Sequence, residues 1–278
     1  MSNLFMRFPK GKAKALTLSY DDGVVQDVRL MSILNKFGLK CTFNINTGLF
    51  EEDGHVFPKG QIHRRMSKRE AVELYKDSGH EVAVHALTHP FLEQLPTNMV
   101  AYEVVEDRKN IEKLFGKITK GMAYPFGTYS DKVVDVLKDA GIVYSRTVNF
   151  TEKFDIPTDW LRLPATCHHD NPNLITLAKK FIEDSPQDAP WLFYLWGHSY
   201  EFEINDNWHI IEEFSETIGQ KNDIWYATNI EVYNYIQAYN RLEFSLDASI
   251  VYNPTDIELY FSFGGKQFNI KSGETVKI

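Results

Sequence analysis

Between residues 13 and 239, strand-like and helix-like segments alternate, and no other property of this 278-residue chain restricts its fold as strongly. Residues 13–19 read as a strand, and residues 25–37 as a helix closed by Gly38. A second strand follows at 41–46. Ser67-Lys-Arg-Glu70 has the spacing of a capping box and opens a helix that Gly79 ends. A β-rich run at 80–84 precedes a longer helix at 97–115, and residues 119–124, 130–140 and 142–148 continue as strand, helix and strand. Residues 174–182, 191–196, 208–218, 224–228 and 231–239 complete the alternation. About seven strand–helix units suggest an α/β barrel or a doubly wound sheet. After Arg241 the texture changes to short β runs punctuated by Asn253-Pro254 and Gly264-Gly265. The expected organisation is one α/β region at 1–240 and a small all-β appendage at 241–278.

Composition narrows the function classes. A mean hydropathy of −0.34, with no apolar run near the ~18 residues a span needs, argues against an integral membrane protein. The N-terminus has no continuous apolar stretch of the signal-peptide kind, and two cysteines, Cys41 and Cys167, cannot build a disulfide scaffold, so a reducing cytoplasm is the expected location. A net charge of −8 disfavours nucleic acid and anionic membranes as partners. The one basic cluster, His63-Arg64-Arg65 with Lys68-Arg69, reads as a solvated face.

Four groups of residues could carry chemistry, each at the end of an expected strand. Ser19-Tyr20-Asp21-Asp22-Gly23 closes the first strand. Adjacent carboxylates repel, and a cation nearby removes that cost, so that one side chain can bind a metal while the other takes a proton; a plain Asp-Asp-Gly turn is the bland alternative. His85-Ala-Leu-Thr-His89 places two imidazoles at i and i+4, one side of a helical turn, and with one carboxylate they make a three-ligand zinc set with an open position. Trp191-Leu-Phe-Tyr-Leu-Trp-Gly-His198 reads as a buried strand that delivers a histidine able to act as an acid near neutral pH. Ala123-Tyr-Pro125-Phe126-Gly127 is a turn that could aim a backbone N–H into a site.

In this order and spacing, the groups resemble the motifs of polysaccharide deacetylases of the NodB-homology type, carbohydrate esterase family four. Ser-Tyr-Asp21-Asp22-Gly resembles the first motif, His85-Ala-Leu-Thr-His89-Pro the second and Ala123-Tyr-Pro-Phe-Gly the third; Asp159-Trp160 matches the fourth, and Leu195-Trp-Gly-His198 the position of the fifth. The resemblance spans about residues 10 to 240. It implies a distorted (β/α)7 barrel holding a divalent metal, most often zinc, and an N- or O-acetylated oligosaccharide or polysaccharide as substrate. Carried over, Asp22, His85 and His89 are the metal ligands, Asp21 is the base, His198 the acid oriented by Asp159, and the Phe126 backbone N–H joins the metal as the oxyanion hole.

Two departures bear on that assignment. Ala123 stands where the family has an arginine that tethers the catalytic aspartate, which leaves Arg162, beside Asp159-Trp160, and Arg146, in the following strand, as candidate tethers. Ala86 replaces a Ser or Thr and should loosen the second-motif loop. Alternative readings keep the fold but change the substrate to a non-carbohydrate amide or imide, or leave a noncatalytic carbohydrate-binding relative. A retaining glycosidase built on Asp21 and Asp22 is disfavoured, because its carboxyl pair normally comes from different elements.

The remaining candidates divide between site and scaffold. His168 and His169 sit in a loop able to reach the site mouth, whereas His55, His63, His80 and His209 read as structural or solvated. Tyr194, Trp196, Trp208 and Trp225 read as core rather than as sugar-stacking surfaces. Glu201 and Glu203 either line a groove or face solvent.

Overall fold

A computed structural model describes residues 4–186 and 188–278. In chain order the elements are β1 (Leu4–Arg7), β2 (Lys14–Asp21), α1 (Asp27–Lys36), β3 (Cys41–Ile45), α2 (Lys68–Tyr75), β4 (Glu81–Val84), α3 (Thr97–Phe115), β5 (Gly121–Ala123), α4 (Asp131–Asp139), β6 (Tyr144–Phe150), β7 (Leu163–Ala165), β8 (Cys167–His168), α5 (Leu174–Glu183), β9 (Trp191–Gly197), α6 (Ser199–Ile204), α7 (His209–Ile218), β10 (Ile224–Tyr226) and α8 (Asn229–Tyr239). Five short strands follow: β11 (Glu243–Phe244), β12 (Ile250–Tyr252), β13 (Leu259–Phe263), β14 (Lys266–Ile270) and β15 (Thr275–Lys277). Among the described residues, no helix is long and apolar enough to cross a membrane.

The parallel sheet runs in the order β7-β6-β5-β4-β3-β2-β9-β8. Its two end strands are consecutive in the chain, with only Thr166 between them. One extended segment therefore pairs with β6 through Leu163 and with β9 through Cys167 and His168, and the Thr166 N–H donates to Tyr194 O at 2.8 Å. The result is a distorted (β/α)7 barrel whose seam is a stretch of covalent chain. A further distortion lies at β2, which pairs with β3 through Leu18–Asp21 and with β10 through Lys14–Leu16, while β9 follows β2 from Lys14 to Tyr20.

Local sequence explains the helices that wrap this sheet. The Ser67–Glu70 capping box opens α2 as its spacing predicts, and a second, Thr228–Glu231, opens α8. Gly116 ends α3 in the left-handed conformation. Every residue of β2 is buried, as expected of a parallel strand covered on both faces. Because all the barrel strands run the same way, their C-terminal ends gather Asp21, His85, Pro125, His168 and His198 at one mouth.

The C-terminal strands form two small antiparallel sheets, β1-β13-β14 and β11-β12-β15. The first takes a strand from the far end of the chain, pairing Leu4–Arg7 with Phe263–Tyr260. Met6, Phe8, Val232 and Tyr235 share one apolar cluster with Leu259, Phe261 and Ile270. The Tyr235 hydroxyl donates to Arg7 O at 2.8 Å and accepts from Tyr260 N at 3.0 Å. A cut between residues 240 and 241 therefore separates paired strands and a shared core.

Candidate active site

At the end of β2 the chain turns through two left-handed residues, Asp22 (φ 83) and Gly23 (φ 63). Aspartate and glycine tolerate this conformation better than most residues. The turn sends the two carboxylates to different partners. Asp21 Oδ1 accepts from Asn44 Nδ2 at 2.8 Å, and Oδ2 is ion-paired with Arg146. Asp22 Oδ2 lies 3.3 Å from His63 Nε2, and Oδ1 accepts from Arg65 at 3.1 Å. Burial opposes ionisation of Asp21, but Arg146, His85 and His198 outweigh it and hold the carboxyl below its ordinary range. At Asp22, burial is likewise outweighed, here by the His63 hydrogen bond, His85 and Arg65.

The second motif is not helical, contrary to the i, i+4 expectation. Ala86 (φ 61) and His89 (φ 57) are both left-handed, so the segment is a tight irregular turn whose imidazole rings still converge, 4.8 Å apart. Its backbone is held from outside. His85 N donates to Asp107 Oδ2 at 3.1 Å, and Thr88 N and Oγ1 each donate to Glu103 at 2.8 Å. Asn46 Nδ2 reaches Ala86 O at 2.7 Å. The buried acids of α3 thus supply anchoring to the loop where Ala86 cannot.

His85 Nδ1 donates to Ala123 O at 2.8 Å, which leaves Nε2 with its lone pair. That Nε2 is buried without a hydrogen-bond partner among the described residues, 3.9 Å from Asp22 Oδ1, and His89 Nε2 lies 3.7 Å from the same oxygen. Burial lowers both imidazoles, His89 to about 4, so they are neutral at physiological pH. Two neutral imidazoles and one carboxylate around an orphaned, inward-facing nitrogen fit a zinc-like cation with an open coordination position.

Of the two candidate tethers, the structure brings only Arg146 to Asp21. The Arg146 guanidinium is fully buried and stacks over Trp196 at 4.3 Å. Arg162 instead pairs on the surface with Asp159 at 2.9 Å and Asp131 at 2.6 Å. Nor does Asp159 hold His198: its oxygens are taken by Arg162 and the Leu161 N–H, and Trp160 packs edge-on against Tyr233. The reason is local, because residues 159–162 form a turn before β7 rather than a segment inside the mouth. His198 Nδ1 lies 3.1 Å from Glu201 Oε1, one helical turn along in α6, and Nε2 lies 3.9 Å from Asp21 Oδ2. Burial alone would lower His198; the Glu201 hydrogen bond and Asp21 outweigh it and raise the imidazole above its ordinary value.

Pro125 and Gly127 are buried beneath the third-motif turn, and Phe126, left-handed at φ 58, projects outward. Its ring packs edge-on against His89 and stacks on Phe91 at 3.9 Å, with both phenylalanines exposed. The basic cluster divides: Lys68 and Arg69 are exposed as expected of a solvated face, whereas His63, Arg64 and Arg65 are engaged. His63 and Arg65 meet Asp22, while Arg64 pairs with Glu203 at 2.6 Å. These residues lie in the irregular stretch between β3 and α2, where no periodicity signals a site. Tyr194, Trp196 and Trp208 are buried, as expected of core.

Residues 9–145 match the family model for polysaccharide deacetylases. This part of the chain, a little under half of it, resembles polysaccharide deacetylases. The matched span holds Asp21, Asp22, His85, His89 and the Pro125–Gly127 turn, and stops one residue short of Arg146. The chain is similar in fold to a putative polysaccharide deacetylase from Mycobacterium smegmatis (TM-score 0.57, 14% identity, 84% of this chain and 93% of that one). It is similar also to a family 4 carbohydrate esterase from Streptomyces lividans in complex with acetate (TM-score 0.51, 16% identity, 77% and 92%). Among curated proteins, the uncharacterised YlxY of Bacillus subtilis is 26% identical over 108 residues, which is 39% of this chain and only 29% of that protein.

Proposed function

We propose that this protein is a metal-dependent hydrolase that removes acetyl groups from an acetylated carbohydrate, with Asp22, His85 and His89 holding a divalent cation, zinc by preference. The observation that carries the reading is the orphaned Nε2 of His85, set between the carboxylates of Asp22 and of an Asp21 that is itself held by Arg146 and Asn44. When bound, the cation supplies Lewis-acid polarisation of the acetyl carbonyl and acidification of water.

The chain's own residues do the rest. Asp21, ionised and fixed through both oxygens, accepts the proton of the attacking water. Its depressed pKa makes it a weaker base than a free carboxylate, but its orientation is set before substrate arrives. His198, raised by Glu201 and Asp21, carries a proton near neutral pH and presents Nε2 toward Asp21; from there it protonates the departing amine. The Phe126 backbone N–H is the proposed donor to the developing oxyanion, an interaction worth roughly 3–4 kcal/mol when well placed. Phe91 and Phe126 offer an exposed apolar surface beside His89 for a sugar face.

An amine must be protonated to leave, whereas an alkoxide leaves more readily. His198→Ala is therefore expected to cost more on N-acetylated than on O-acetylated oligosaccharides, with both rates measured as acetate release. Equal losses on the two would remove His198 as the leaving-group acid.

A further inference from the structure

Three imidazoles surround one carboxylate on the far side of His198. Glu201, in the first turn of α6, lies with Oε1 3.1 Å from His198 Nδ1 and with Oε2 3.2 Å from both His168 Nε2 and His169 Nε2. Among the described residues, no lysine or arginine comes within ion-pair distance of it. Its carboxylate also accepts the His198 backbone N–H at 3.3 Å, and its charged partners are imidazoles alone, a setting in which a cation can replace protons.

We propose that His168, His198 and Glu201 form a second divalent-cation site, sharing no ligand with Asp22, His85 and His89, whose filling withdraws His198 from proton transfer. The regulatory half of this proposal rests on the role of His198 given above; the binding half does not.

Geometry and chemistry support it separately. The three donor atoms lie close enough together to share one ion. Glu201 faces the two imidazoles through different oxygens, Oε2 3.2 Å from His168 Nε2 and Oε1 3.1 Å from His198 Nδ1, so the carboxylate has an oxygen within reach of an ion held by either nitrogen. His168 carries the partner that metal-binding histidines usually have on the other ring nitrogen, since Asp170 contacts Nδ1 with its carboxylate and leaves Nε2 facing Glu201. His169 plays a different part. It is 1% exposed and stacked between Tyr20 and Phe202, and its Nδ1 faces Gly197 without a hydrogen-bond partner among the described residues. Its Nε2–H donates to Glu201 and fixes that carboxylate. The other three side chains are 16–26% exposed, so an ion can enter. Two imidazoles with one carboxylate select a borderline ion such as zinc over magnesium or calcium.

The consequence follows from His198 having two nitrogens with two duties. As an acid it must be an imidazolium, with hydrogen on Nδ1 toward Glu201 and on Nε2 toward the reaction. A cation on Nδ1 displaces that proton to solvent, and the ring that remains has no imidazolium proton to give.

The test is zinc binding by chelator-stripped full-length protein, followed by equilibrium dialysis with elemental analysis. Wild type should take up two ions per chain, His168→Ala one, and His85→Ala one. Asp170→Asn, a milder change at an exposed residue, should weaken only the second ion, by about 10–100-fold. Excess zinc should inhibit the wild type, and His168→Ala should be insensitive over the same range. Saturation of the wild type at one ion that His85→Ala abolishes would overturn the second site while leaving the first intact. Two ions in a protein that releases no acetate would uphold the second site against failure of the hydrolase reading. A His168→Ala protein that still binds two ions would overturn it.

Discussion

Arg146 stands directly across the β5–β6 ladder from Ala123, and its guanidinium holds the carboxylate of Asp21. The related motif places an arginine at the Ala123 position itself. Here the cation has moved one strand over at the same level of the barrel, so the same carboxylate is reached from the neighbouring strand. Because the two positions are register partners on adjacent strands, ~4.8 Å apart, the exchange requires no change in the backbone.

This relationship predicts a rescue. Arg146→Ala leaves Asp21 as a buried charge without its partner, a loss of about 3–5 kcal/mol, and should lower kcat on the order of a hundredfold by freeing the carboxylate. Adding Ala123→Arg to that variant should restore much of both, as read by thermal melts and acetate release. A double variant no better than Arg146→Ala would show that the two positions are not equivalent.

Glu201→Gln should move the alkaline limb of the pH–rate profile. The Glu201 carboxylate helps raise His198 above its ordinary value, against the opposing effect of burial. Removing that charge lowers the imidazole pKa, so the protonated acid is lost at lower pH and the alkaline limb shifts down. An unmoved limb with a lower plateau would assign Glu201 a purely structural part.

Binding at Asp22, His85 and His89 should be visible as stability. An ion that binds only the folded state at about a thousand times its Kd adds about 4 kcal/mol, which raises Tm by several degrees or more in a chain of this size. The shift should appear on adding zinc to stripped protein, shrink in His85→Ala to what the His168–Glu201 site contributes, and vanish in the His85→Ala/His168→Ala double variant.

Gly197→Ala should destabilise the protein by about 1–3 kcal/mol and impair His198. A Cβ there would stand 2.0 Å from His169 Nδ1 and push that ring off Glu201. Chemical denaturation and the pH–rate profile together would show both effects, and a variant with wild-type values would contradict this packing of His169 on Gly197.

Deleting residues 241–278 should not release a stable barrel. β1 would lose its partner β13, and Phe8, Val232 and Tyr235 would face solvent. The expected result is an aggregated or strongly destabilised product, judged by size-exclusion chromatography and melting; a monomer with the full-length Tm would show an independent domain.

Much of this was legible in the sequence because it is local. The strand–helix alternation and the ends at Asp21, His85 and His198 follow from periodicity and short motifs, and so does the α2 capping box. What the sequence obscured is long-range. Asp159 and Glu201 are both acids near a motif, and only the fold shows that one is occupied by Arg162 while the other reaches His198. His63 and Arg65 sit in an irregular connection with no periodicity to place them against Asp22. The pairing of β1 with β13 joins the two ends of the chain, which a division by texture at residue 240 could not register.

The most direct measurement is acetate release from N-acetylglucosamine oligomers and O-acetylated xylo-oligomers, by stripped protein before and after zinc is added, beside Asp21→Asn. Release should depend on added metal and be abolished by the substitution. Undiminished release by stripped protein or by Asp21→Asn, or no release from protein shown to hold the ion at His85 and His89, would contradict the proposed mechanism.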